Sequence, residues 1–99
     1  MAHPAPASPS LTTAAMLRTV RFELGSVSVD LPYRAARLRR LTEQLTFIVQ
    51  TWAGLPWPTH SRQGHPVPSP DHVLHQLGHL PAEPADQHRA LLVLVLLLL

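Results

Sequence analysis

The chain has 99 residues, eleven of them proline, and a formal net charge of +2. Its length limits it to one domain, and the absence of cysteine excludes disulfides, thiolate metal sites and cysteine nucleophiles. All eight basic residues are arginine, and lysine and asparagine do not occur. Because the missing residue types share AT-rich codons, the composition indicates a GC-rich coding sequence, either from a GC-rich genome or from a young or overlapping reading frame.

Residues 1–17 are predicted to be a disordered N-terminus, because three early prolines interrupt any helix there. Residues 1–10 lack a leucine-rich apolar core, which argues against a secretory signal. Arg18 and Arg21, with no acidic residue before them, are typical of a mitochondrial transit peptide, whereas the prolines weigh against one. A plain disordered terminus is the preferred interpretation.

The segment from Val20 to Leu31 is predicted to form a β-hairpin. Its apolar residues alternate in two runs, with Gly25-Ser26 between them. Glycine at the first position of a two-residue turn accepts the positive φ that a type II′ turn requires. In this register six apolar side chains share one face of the hairpin. They are Val20, Phe22, Leu24, Val27, Val29 and Leu31.

An amphipathic helix is predicted to follow and to cover the apolar face of the hairpin. Pro32 suits the first turn of a helix, Asp30 is a candidate cap, and no breaker occurs before Gly54. Apolar residues at spacings of three and four then form a stripe. The stripe consists of Leu38, Leu41, Leu45, Ile48 and Trp52. It is too short for a dedicated coiled coil, so residues 18–53 are interpreted as a hairpin–helix unit.

Four arginines within seven residues are candidates for contacts with phosphates or acidic lipids, because guanidinium groups match phosphate oxygens. They are Arg34, Arg37, Arg39 and Arg40. Their place in the N-terminal half of the helix is unfavourable for the helix dipole, which weakly indicates a role beyond helix stability. A solvated helix face is the favoured interpretation, ahead of binding to nucleic acid.

Residues 54–70 are predicted to be a proline-rich linker with polyproline tendency, in which Trp57 either docks on the folded unit or anchors at a membrane interface. A short helix over residues 71–80 follows, with Ser69 as its cap and Pro70 at its first position. Three imidazoles fall on one face of that helix, a pattern related to zinc and copper sites. They belong to His72, His75 and His79. An ordinary polar helix face is preferred over a metal site, and no cofactor is expected.

A second linker, residues 81–89, precedes an apolar tail, residues 90–99. Ten helical residues extend roughly 15 Å, about half of the hydrocarbon core of a bilayer. The tail is therefore too short to span a membrane, but it is a candidate for insertion into one leaflet. The insertion candidates are Leu91, Leu92, Val93, Leu94, Val95, Leu96, Leu97, Leu98 and Leu99.

The predicted fold class is a small, partly disordered α+β protein with the elements described above. No nucleophile elbow, phosphate loop or paired carboxylates occur, so a non-enzymatic role is expected. The leading function is a small intracellular protein that associates with a membrane surface. One alternative is a soluble interaction module whose tail is buried in its own core or in a hydrophobic protein partner. Another is a weak metal or nucleic-acid binder, and the oligomeric state is left open.

Overall fold

The computed structural model describes residues 9–27 and 31–99. These residues form four helices: α1 (Pro9–Gly25), α2 (Leu31–Trp52), α3 (Pro70–Gly78) and α4 (Pro84–Leu98). Helix α2 packs against each of the other three, and α1 also packs against α4. Buried side chains from all four helices form a single apolar core.

The prediction of a β-hairpin, and with it of an α+β fold class, is wrong. Within residues 9–27 and 31–99 there is no β-strand, and Val20, Phe22 and Leu24 belong to α1. Val20 and Leu24 are buried, whereas Phe22 is 76% exposed. A helix rotates about 100° per residue, so Phe22 lies about 200° around the helix from Val20 and from Leu24. It therefore points away from the face that those two residues share.

Helix α1 forms because its buried stripe begins upstream of the predicted hairpin. Thr13, Leu17, Val20 and Leu24 follow at spacings of four, three and four, and all four are buried. This is the helical period, and packing of that face outweighs the strand preference of the valines. The stretch 9–17, which was expected to be disordered, belongs to this helix.

The predicted type II′ turn is replaced by the C-terminus of α1. Among the described glycines only Gly64 has a positive φ, so Gly25 lacks the conformation that the turn requires. Ser26 instead donates from its N–H to the Phe22 carbonyl at 3.2 Å and from its hydroxyl to the Glu23 carbonyl at 3.0 Å. Val27 packs on the edge of the core. Val29 and Asp30 lie outside the described residues, and the last residue of the predicted hairpin, Leu31, is the first of α2.

Helix α2 has the apolar stripe that its sequence predicts. All five predicted stripe residues are buried, and Val49 joins them in the core. Helix α3 also starts as expected: the Ser69 hydroxyl accepts from the N–H of His72 at 3.3 Å, Pro70 opens the first turn and Asp71 lies within it. Val73 and Leu77 bury the inner face of α3.

The proline-rich segment between α2 and α3 folds back on itself. His60 and Pro66 form an isolated antiparallel bridge, and the N–H of Ser61 donates to the His65 carbonyl at 2.8 Å. The Trp57 ring packs on the core, and its N–H donates to the Pro68 carbonyl at 2.8 Å. Of the two placements considered for Trp57, docking on the folded unit is the one observed.

The apolar tail forms the greater part of α4 and packs on α1 and α2. Its buried side chains are Leu91, Leu94, Val95 and Leu98. Two side chains of the tail, Val93 and Leu96, are exposed. The tail is thus a component of the core, with a narrow apolar strip left on its outer side.

His88, at the start of this packing, connects three helices. Its Nδ1 lies 3.2 Å from a terminal nitrogen of Arg34, and its Nε2 lies 2.7 Å from the Leu24 carbonyl oxygen. Arginine can only donate, so Nδ1 accepts and the Nε2–H donates to the carbonyl. The imidazole therefore links α4 to the Arg34 side chain of α2 and to the last turn of α1.

Candidate functional site

A groove of about 430 Å³ lies between α1 and α2. Met16, Thr19 and Val20 line it from α1. Arg40, Glu43, Gln44, Phe47 and Ile48 line it from α2. The floor is formed by Val20 and Ile48, which belong to the core, so the groove is an open edge of the helix–helix interface.

Two large apolar side chains border this groove without being buried. Met16 is 40% exposed on the α1 side, and Phe47 is 60% exposed on the α2 side. Between them, the Thr19 hydroxyl donates to the Ala15 carbonyl at 3.1 Å, so its hydrogen-bonding need is met within its own helix. The groove therefore offers an apolar surface to a ligand.

The rim of the groove is polar and carries both charges. Arg40 and Glu43 are exposed, and within residues 9–27 and 31–99 neither of them forms an ion pair. The ion pair of this region joins Arg37 to Glu23 at 3.4 Å, and its two side chains are only partly exposed. Arg40 and Glu43 are consequently available to charged groups of a ligand that enters the groove.

The structure distributes the four clustered arginines in different directions. Arg34 contacts His88 of α4, and Arg37 pairs with Glu23 and donates to the Tyr33 hydroxyl at 3.3 Å. Arg39 lines a cavity beside the start of α4, whereas Arg40 borders the α1–α2 groove. The four guanidinium groups thus do not share one surface.

Of the three candidate histidines, the structure brings two together. The rings of His75 and His79 have centroids 4.3 Å apart, and the His79 Nδ1 lies 2.9 Å from the His75 carbonyl oxygen. His72 is exposed in the first turn of α3. Over the described part of the chain, no group of three or more ligand side chains is placed to hold a metal ion.

The predicted insertion residues are split between two environments. Leu91, Leu94, Val95 and Leu98 are in the core, Val93 and Leu96 are exposed, and Leu92, Leu97 and Leu99 are intermediate. Among the helices of the described residues, none combines the length and the apolar character needed to cross a membrane. Val93 also lines a second groove, between α3 and α4, together with His75 and His79.

The sequence-based reasoning missed Met16 and Phe47. Each of them directly precedes a residue of the buried stripe, Leu17 in one case and Ile48 in the other. A large apolar residue just outside a helical stripe widens the apolar face beyond what a neighbouring helix covers. That widening was the available signal, and it was lost for α1 because the helix itself was not predicted.

No protein-family model matches the chain, and no curated protein or solved structure matches it either. Three surface features are candidates for a function: the α1–α2 groove, the pair of rings at the end of α3 and the outer strip of α4.

Proposed function

We propose that this chain is a non-enzymatic protein-interaction module that binds an amphipathic helix of another protein in the α1–α2 groove. The observation that carries the proposal is the exposure of Met16 and Phe47 on opposite walls above an apolar floor. When a partner removes apolar side chains of this size from water, the free energy of the complex is lowered. A groove bounded by two helices is suited to an incoming helix with apolar residues at positions i, i+3, i+4 and i+7.

The lining residues favour a protein ligand over a rigid small molecule. Methionine is flexible and adapts to different apolar surfaces, and phenylalanine supplies a large contact area. Arg40 and Glu43 border the groove with opposite charges, so a helix with an acidic and a basic residue at its edges would be held in one orientation. We expect the partner helix to carry both.

A membrane surface is the second candidate, and its support is the exposed strip of α4 that contains Val93 and Leu96. Inserting the whole tail would require α4 to leave α1 and α2, because Leu91, Leu94 and Val95 lie in the core. Departure of α4 would expose to water the apolar side chains of α1 and α2 that pack against it, at a cost of about 1.5–3 kcal/mol for each side chain that becomes exposed. The protein-binding interpretation needs no such rearrangement.

The proposal is tested by selecting a library of helical peptides, each about twenty residues long, on the full chain. The selected peptides should share the helical apolar spacing and carry charged residues beside it. Replacing Phe47 with glutamine should weaken their binding by about 2 kcal/mol, roughly thirtyfold in Kd. The matched control is Phe22→Gln, because Phe22 is 76% exposed on α1 but does not line this groove.

Equal binding to the Phe47→Gln and unmodified chains would refute the proposal, as would failure to select any peptide. Flotation with vesicles of phosphatidylcholine and phosphatidylserine examines the membrane candidate. If the chain floats with the vesicles and Val93→Ser/Leu96→Ser abolishes this, the membrane function is supported instead. If Phe47→Gln affects peptide binding and the chain does not float, the interaction module is supported.

A further inference from the structure

From the paired rings at the end of α3, we infer a binding site for a divalent transition-metal ion, with His75 and His79 as its two protein ligands. The two residues are four positions apart, a spacing that puts both imidazoles on one side of a helix. Their ring centroids are 4.3 Å apart, with an angle of 31° between the planes. Both residues are exposed, so an ion and its remaining ligands can reach the rings from solvent.

The separation of the rings fits two neighbouring positions in the coordination sphere of one ion. An imidazole nitrogen binds Zn²⁺ at about 2.0–2.1 Å, so the ring centroid lies roughly 3.2 Å from the metal. Two ligands at about 90°, as in the tetragonal sites of Cu²⁺, then have centroids roughly 4.5 Å apart. The observed centroid distance of 4.3 Å is close to that value.

The hydrogen bond of His79 occupies its Nδ1, so Nε2 is free to bind a metal. Its Nδ1 lies 2.9 Å from the carbonyl oxygen of His75, which can only accept, so Nδ1 carries the proton. The Nε2 of the neutral ring then has a free lone pair. A backbone carbonyl that holds the N–H of an imidazole in this way fixes the tautomer and the orientation of the ring, as in many metal sites.

The electrostatic surroundings also favour a cation. His79 is the C-cap of α3, where the partial negative charge of the helix dipole is concentrated. The neighbouring α3–α4 groove is lined by uncharged residues besides the two histidines, and no arginine borders it. With only two protein ligands the site is open, and water completes the coordination.

The site is tested by calorimetric titration of the full chain with ZnCl₂ and, separately, with CuCl₂. His3 lies outside the described residues, so every protein in the series carries His3→Ala and this imidazole cannot contribute. We expect one ion per chain and a loss of affinity of at least about tenfold on His75→Ala and on His79→Ala. The matched control, His72→Ala, removes an exposed imidazole of the same helix and should change the affinity less than about twofold.

His75→Ala is the decisive variant, because it removes one imidazole but keeps the backbone carbonyl that accepts from His79. A loss of affinity with an unchanged circular dichroism spectrum therefore reports a lost ligand and not a lost helix end. NMR spectra of the ring nitrogens should show Zn²⁺-dependent shifts for His75 and His79. The inference is overturned if His75→Ala binds as tightly as its parent, if His72→Ala weakens binding equally, or if millimolar metal does not bind.

Discussion

Helices α2 and α4 both bury one side in the core, but their sequences are very different. In α2 the apolar residues form a stripe and charged residues occupy much of the opposite face, so exposed Phe47 stands out among polar neighbours. In α4 the last nine residues are all apolar, and the exposed side chains among them, Val93 and Leu96, are of the same kind as the buried ones. An exposed apolar residue is therefore more informative in α2, where the helix has polar residues available, than in α4.

The largest effect is expected from removing the tail. A chain that ends at Arg89 loses Leu91, Leu94, Val95 and Leu98 from the core. Each buried leucine or valine contributes about 1.5–3 kcal/mol by burial alone, so the sum is comparable with the total of about 5–15 kcal/mol that stabilises a typical domain. We expect this truncated chain to be unfolded by circular dichroism and by urea titration. A cooperative transition like that of the full chain would show that the tail is not part of the core.

A matched pair of substitutions separates the two sides of α4. Leu94 is 5% exposed and Leu96 is 40% exposed, although both are leucines of the same helix. Leu94→Ala should lower the free energy of unfolding by about 3 kcal/mol. Leu96→Ala should lower it by less than about 1 kcal/mol. Urea unfolding of both variants measures the difference, and equal losses would mean that α4 has no defined buried side.

The third prediction concerns the contact between α2 and α4 that His88 forms. His88→Ala removes the donor to the Leu24 carbonyl and the acceptor of Arg34 together. Losing both hydrogen bonds of this partly buried imidazole costs about 2 kcal/mol, which a shift in the urea midpoint measures. His72→Ala is the control, because that side chain is exposed, and it should change stability by less than about 0.5 kcal/mol. If both variants unfold at the same urea concentration, the contact of His88 does not hold α4 to α2.

The sequence predicts α2 and the start of α3 because their signals are local. A stripe at spacings of three and four, and a serine followed by proline, have few structural alternatives. Val20, Phe22 and Leu24 are different, because alternation over five residues also satisfies part of a helical period. Leu17 distinguishes a helix from a strand here, because it lies three residues before Val20 and is buried with it, which is helical spacing.

The candidate site is harder to predict because it is made by two helices together. Met16 and Phe47 are thirty-one positions apart in the sequence, and only the packing of α1 on α2 puts them at one groove. The histidine pair, by contrast, belongs to one helix and its C-cap, and it was visible from spacing alone. What spacing cannot give is the hydrogen bond from the His79 ring to a carbonyl, because that depends on how the helix ends.

The folded-back segment after α2 gives the chain a spectroscopic reporter. The chain has two tryptophans, and the rings of Trp52 and Trp57 have centroids 5.4 Å apart. Trp52 is buried, and the indole N–H of Trp57 is bonded to a carbonyl at the far end of the segment. Undocking of this segment alone would separate the rings and admit water to both, which shifts indole fluorescence to longer wavelength. Intrinsic fluorescence therefore follows this junction, while circular dichroism follows the helices.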